Sequence, residues 1–287
     1  MSSLSKLLLF CLVGSLSVVG CGTGSKSGGS PSFTPVTIQG QYEVEAQSAA
    51  AQGAVSLIEV NFTQNGTDVF APKGSVVVID GTLTDTFITL QSVAGECDEG
   101  VLSQDSVQGT FTAANQADIT LTESGSLGTG TASANVTLSS DGAKITGGSY
   151  TVPAQCGFQA DSGHIIGVKV PAFNGAYAGM LQNSSGGQDA VILTVSQSGL
   201  NLNVSGTDNG TPFTLTGSVG GATFEVSGTI AGQSVSAIGL YDVVNNDYLV
   251  YDEQGHYLGQ LNAGTNPQAA TTAARRFKTV ESLLIKH

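Results

Sequence analysis

Acids set beside tyrosines make the stretch of this chain best suited to chemistry. The segment "YDVVNNDYLVYDEQGHY" holds Tyr241, Asp242, Asp247, Tyr248 and Tyr257, with Tyr251, Asp252 and Glu253 between them, and so four of the chain's 7 tyrosines. Aromatic faces next to carboxylates and carboxamides suit a sugar-binding surface, because apolar C–H faces stack on rings while hydroxyls find acceptors. Tyr241, Asp242, Asp247, Tyr248 and Tyr257 are therefore the candidate ligand contacts. The same letters also read as plain structure: Tyr251 shares parity with Leu249 in a strand, and "DEQG" reads as a hairpin turn. A second acidic group, Glu96, Asp98 and Glu99, surrounds a cysteine in "GECDEG". Paired acids serve glycosidases or bind calcium, but neither group follows the D-x-D-x-D-G spacing of a calcium loop.

A fuller catalytic constellation is missing from the sequence. Only His164, His256 and His287 could act as an imidazole base, and each of the first two reads as a polar residue at a strand end. No G-x-S-x-G elbow, H-E-x-x-H or P-loop occurs. These absences point away from an enzyme and imply no catalytic residue, cofactor or metal. Four cysteines are present. Cys97 and Cys156 are the pair expected to form a disulfide in an oxidising compartment, with two buried thiols as the alternative.

The elements that must carry these residues are strands. "VTIQGQYEVEAQ" alternates Val36, Ile38, Tyr42, Val44 and Ala46 with Gln41, Glu43, Glu45 and Gln47, the pattern of a half-buried strand. In "SLIEVNFTQNGTDVFA", Ile58, Val60 and Phe62 share a face, and Asn65 with Gly66 predicts a tight hairpin. The same grammar continues to Val170. From Phe173 it becomes regular, with eight short apolar runs separated by brief turns, enough to close an up-and-down barrel. "IQGQYEVEAQ" and "FNGAYAGMLQ" each set a G-x-Y strand before an apolar strand, a hint of duplication. The predicted class is all-β, built of antiparallel meanders in one or two barrel or sandwich-like units. The working division is 36–170, holding the disulfide, and 171–263, with one continuous sheet system as the rival. Residues 264–287 are basic, and their Ala, Phe, Val and Leu spacing predicts a short C-terminal helix.

Composition fits an exported β protein. Charged residues are 11% of the chain, Gly numbers 39 and Trp 0, so Ser, Thr, Asn and Gly supply the polar surface. Net charge is −13, and the only cations between Val36 and Ala263 are Lys73, Lys144 and Lys169 against 21 acids. An acidic body repels nucleic-acid phosphates, which excludes that class of partner.

The first residues settle the expected location. Met1–Lys6 carries one positive charge and Leu7–Val19, "LLLFCLVGSLSVV", is an apolar run too short to span a bilayer as a helix. It ends on Val18, Val19, Gly20 and Cys21, which resembles the lipobox of bacterial lipoprotein signal peptides. That resemblance implies a signal peptide over 1–20, removed before Cys21, a lipid on the Cys21 sulfur and a membrane partner through that lipid. Residues 21–35, "CGTGSKSGGSPSFTP", then read as a flexible Gly/Ser tether. By analogy with the enterobacterial sorting rule, Gly22 directs the expected envelope location toward the outer membrane.

Three functions follow as expectations. The first is a non-catalytic envelope module that binds a small lipophilic ligand, a glycan or a partner. The second is a structural or adhesive lipoprotein, and the third, least supported, is an acid-dependent hydrolase.

Overall fold

Antiparallel pairing accounts for every strand of this chain whose placement is described. The computed structural model describes residues 32–84, 87–92, 97, 105–125, 127–242, 247–252, 256–266 and 276–278. The segment that resembles a lipobox, most of the stretch expected to be a tether, and Glu96, Asp98 and Glu99 lie outside the described residues.

The N-terminal strands are β1 (Gly40–Ser48), β2 (Ala54–Asn65), β3 (Asp68–Ala71), β4 (Val76–Thr84), β5 (Phe87–Ser92), β6 (Ser106–Ala113), β7 (Gln116–Gly125), β8 (Gly128–Leu138), β9 (Lys144–Val152) and β10 (Asp161–Val170). The C-terminal strands are β11 (Gly175–Gln182), β12 (Gln188–Ser198), β13 (Asn201–Asp208), β14 (Thr211–Gly220), β15 (Thr223–Ile230), β16 (Gln233–Asp242), β17 (Asp247–Tyr251) and β18 (Tyr257–Ala263), followed by the short β19 (Arg276–Lys278).

β1 pairs with both β2 and β10, so the N-terminal strands close into a ring of β1, β10, β9, β8, β7, β6, β3 and β2. Closure depends on β2 dividing its far edge. Thr63–Asn65 pair with β3, while Ala54–Val60 pair with β4. The Gly66 turn between β2 and β3 has φ +63°, a left-handed angle that a glycine adopts without a Cβ penalty, whereas Asn65 stays in the strand. β4 and β5 therefore leave the ring as a side sheet.

The second ring joins β11 through β18 in sequence order and closes β18 back onto β11. Each connection is a hairpin, so full closure removes the exposed edges that a flat eight-strand meander would present. The two rings open alike. Gly40 (φ +120°) and Gly175 (φ +131°) each precede by two residues an inward tyrosine, Tyr42 and Tyr177, on the strand that closes its barrel.

One expectation is corrected at the C-terminus. In the tail predicted to be helical, Arg276–Lys278 is a strand that pairs antiparallel with Phe87–Thr89 of β5. β5 would otherwise end the side sheet with unpaired N–H and C=O groups, and this pairing satisfies them where a helix could not. The disulfide forms as expected, with Cys97 and Cys156 joined and their Cα atoms 5.3 Å apart. It packs on Gly130, where any side chain would strike the Cys97 sulfur and the Gln155 carboxamide.

Two apolar cores result. One fills the first ring with Tyr42, Val44, Val60, Phe62, Phe111, Val136 and Ile145. The other runs from the inside of the second ring to Val55, Leu57, Val77 and Ile79, which lie on the outer face of β2 and β4. β1, β2 and β4 are thus buried on both faces. The alternation in β1 predicts a solvent face at Gln41, Glu43 and Glu45, yet these are 5%, 2% and 0% exposed because the second barrel covers them.

Candidate functional site

The second barrel is wide enough to hold something. Strand parity turns Val191, Val195, Val204, Phe213, Leu215 and Val226 inward, around a cavity of about 460 Å³. The lumen of the first barrel is largely filled by its own side chains, and only about 110 Å³ remains there. An apolar cavity of about 150 Å³ already stays dry and takes up a small apolar molecule, so the larger lumen falls in the size range of ligand pockets.

The barrel is a cup with a closed floor. Phe173, Tyr177, Phe224, Tyr241 and Tyr248 gather at the end where β15 and β17 begin, and Tyr248 meets the other four rings at centroid distances of 4.6 to 5.4 Å. The Tyr248 hydroxyl donates to Tyr177 Oη at 3.2 Å, and burial followed by that hydrogen bond drives the Tyr248 phenol far above its ordinary value. Phe224 fits because the residue opposite it is Gly239, where an added Cβ would enter the ring. At the other end, Gln182, Asn183, Ser184, Ala231 and Gln233 of the β11–β12 and β15–β16 turns line the mouth. Asn183 Oδ1 accepts from the Ser185 and Gly187 N–H groups (3.1 and 2.9 Å), which fixes the shape of the first turn.

The outside of the cup is polar. Asn201, Asn203 and Ser205 of β13, Thr214 and Thr216 of β14 and Ser227 and Thr229 of β15 are exposed. A membrane-spanning barrel carries its apolar band outward and its polar groups inward, the reverse of this arrangement.

The five candidate residues of the acid and tyrosine segment are separated by strand parity. Tyr241 and Tyr248 stand opposite each other on β16 and β17 and turn into the floor of the lumen. Asp242 and Asp247, also directly paired, turn to the outer face of the same strands. Tyr257 does not line the cavity: it sits beyond a bulge in β18 and packs edge-on against Tyr251 at 5.7 Å. Burial and then Asp247 push its phenol up to about 12. No open surface combines the five, so the stacking arrangement expected for a sugar is not assembled.

Asp242 and Asp247 instead join a buried acid group between the sheets. Burial first, then Glu59, Glu45 and Asp242, raise the proton affinity of Glu43, which lies on the outer face of β1 beside Glu45 and opposite Glu59. Burial and then Asp242 push Asp247 up to about 6, against a hydrogen bond from the Gln260 amide. Burial pushes Glu59 up to about 8, against the hydrogen bond that the Ala222 N–H donates to its Oε2 at 2.5 Å. Among the described residues, no group of three or more His, Cys, Asp or Glu side chains has the geometry to hold a metal ion. His256 is exposed and pairs with Asp252 at 2.8 Å within its own turn.

The lumen carried one sequence signal that residue chemistry does not reveal. Gly206, Gly217, Gly228 and Gly239 recur every eleven residues, one on each of β13 to β16. A Cβ at the first three would strike the backbone of the neighbouring strand, at Ile192, Glu225 and Thr214 respectively. All four share the inward parity of the lining residues, and their registers stagger them, Gly206 opposite Phe213, Gly217 opposite Val226, Gly228 opposite Val235 and Gly239 opposite Phe224, so each strand can bend and approach its neighbour closely at its own point around the ring. No family model, curated protein or solved structure matches the chain.

Proposed function

We propose that this protein is a lipid-anchored, non-catalytic module of the bacterial cell envelope that takes a small lipophilic ligand into the lumen of the second barrel. The single observation that carries the reading is the cavity of about 460 Å³, walled by aliphatic side chains inside a barrel whose exterior is polar. Burying apolar ligand surface there is favourable by about 25 cal/mol per Å² removed from water. Leu181, Leu193, Ile230, Val235 and Leu258 are only partly buried, so the lining offers apolar area that the protein itself does not cover. The glycan reading loses support, because Tyr241 and Tyr248 form the floor of the barrel, Tyr257 packs on Tyr251 away from them, and Asp242 and Asp247 face the neighbouring sheet.

The membrane anchor rests on the resemblance of Val18-Val19-Gly20-Cys21 to a lipobox. Cys21→Ser is expected to release the protein from the membrane fraction and leave the precursor uncut, and continued membrane retention would refute the anchor.

Ligand binding is tested by native mass spectrometry on residues 33–287, which form one compact unit carrying both barrels and the disulfide. The polypeptide is exported to an oxidising compartment and purified without detergent. Extra mass that leaves on denaturation, or uptake of added 1-decanol, supports the lumen as a binding site. A bare mass that takes up no 1-decanol overturns it and favours a structural or adhesive role.

A further inference from the structure

The mouth of the lumen is chemically lopsided. Leu181 stands opposite Asp189 and Val191 stands opposite Asp208, so both aspartates share the inward parity of those lining residues. The two acids are diagonal neighbours on adjacent strands, within reach of each other's charge. Among the described residues that line the cavity there is no Lys, Arg or His. His256, at the same end of the barrel, is taken up by Asp252. Both aspartates are among the residues that line the cavity.

Resting on the reading of the lumen as a ligand site, we propose that the ligand is a lipophile with a cationic amine end: its chain lies among Val191, Leu193, Phe213 and Val226, and its ammonium N–H groups bond to Asp208 and Asp189. The alternatives fit less well. A fatty acid would set a third carboxylate beside two others with no cation to balance them. A neutral alcohol would give one hydrogen bond and leave the repulsion between the aspartates unchanged. An ammonium relieves that repulsion and adds charge-assisted bonds to the lining carboxylates. Burial and the neighbouring Asp189 raise the proton affinity of Asp208, in keeping with a site short of positive charge. The acidic body of the protein, with net charge −13 overall, also steers cations toward it and anions away.

The test compares three ten-carbon probes, decylamine, 1-decanol and decanoate, by titration calorimetry at pH 7 on residues 33–287 and on the Asp189→Asn/Asp208→Asn double variant. Decylamine is expected to bind about tenfold or more tightly than decanoate, and the double variant to lose that preference while still binding 1-decanol. Decanoate binding as tightly as decylamine would overturn the amine assignment and leave the lumen reading intact. An unchanged preference in the double variant would also overturn it. If none of the three probes binds, the lumen reading itself fails and the amine assignment falls with it. Retained 1-decanol binding by the double variant shows that its barrel is folded.

Discussion

Glu43 and Glu59 face each other directly across β1 and β2, and neither carboxylate reaches water: Glu43 is 2% exposed and Glu59 0%. Glu43 Oε2 and Glu59 Oε1 accept no hydrogen bond. Two like charges in such a place are unfavourable, and protonation is the simplest relief. Burial, then Glu59, Glu45 and Asp242, raise the Glu43 carboxyl well above the ordinary value. The contact between the barrels is therefore built around retained protons.

That arrangement makes stability depend on pH with a definite sign. Glu59 is pushed from an ordinary 4.5 up to about 8, so between those values the folded chain holds a proton that the unfolded chain releases. The contribution is complete below the unfolded value and is lost as pH rises through about 8. Asp247, pushed up to about 6, adds the same trend in a lower window. The groups facing Glu59 and Glu43 are Glu45 on β1 and Asp242 on β16, and both add repulsion on deprotonation. The melting temperature should fall from pH 5 to pH 9, and Glu59→Gln should flatten that fall. A melting temperature that rises over the range, or an unchanged slope in the variant, would contradict the retained protons.

The β14–β15 turn should be intolerant of a side chain where it meets β2. Gly221 has φ +57°, and an added Cβ would strike the backbone of Glu59 and Val60. Gly221 also accepts from the Gln41 amide at 2.8 Å, which holds the turn on β1. Gly221→Ala should cost about 1–3 kcal/mol or more in urea unfolding. Gly210→Ala is the control, because its φ is +85° but nothing lies within 4 Å of the added atom. Equal losses in the two variants would show that the close approach to β2 carries no weight.

Filling the floor of the cup should reduce uptake. Gly239→Val places a branched side chain where the Phe224 ring lies, and the ring must move toward the cavity. Overpacking of this kind costs about 1–3 kcal/mol. Calorimetry with 1-decanol should show weaker binding than for the unaltered protein. Unchanged affinity would mean that Phe224 does not bound the occupied space.

The disulfide closes a loop with a sequence separation of 59 residues, so its loss should be felt in the unfolded state. A loop of that length corresponds to about 4 kcal/mol in the chain-entropy account. The Cys97→Ser/Cys156→Ser protein should unfold at clearly lower urea with a similar final slope. A shift below about 1 kcal/mol would show that the cross-link adds little to this fold.

The sequence by itself determined the all-β class, the positions of most strands, the regular eight-strand run after Phe173 and the cysteine pair. These follow from local physics: period-two alternation marks strands, and Gly or Asn marks the tight turns between them. It also determined that Tyr241 and Asp242 point to opposite sides, and likewise Asp247 and Tyr248, since neighbours on a strand always do.

Which side was inside was decided only by the tertiary structure. Alternation is the same whether the polar face meets water or a second barrel, so Glu43 and Glu45 looked like surface residues and are buried. Nor could local pattern show whether a closed ring would be filled or hollow. That depends on the summed bulk of inward side chains around the whole ring, and on glycines such as Gly239 that make room for a ring from the next strand. The tail shows the same limit: its composition favours a helix, but the open edge of β5 drew Arg276–Lys278 into a strand, because unpaired backbone groups at an edge outweigh a weak local preference.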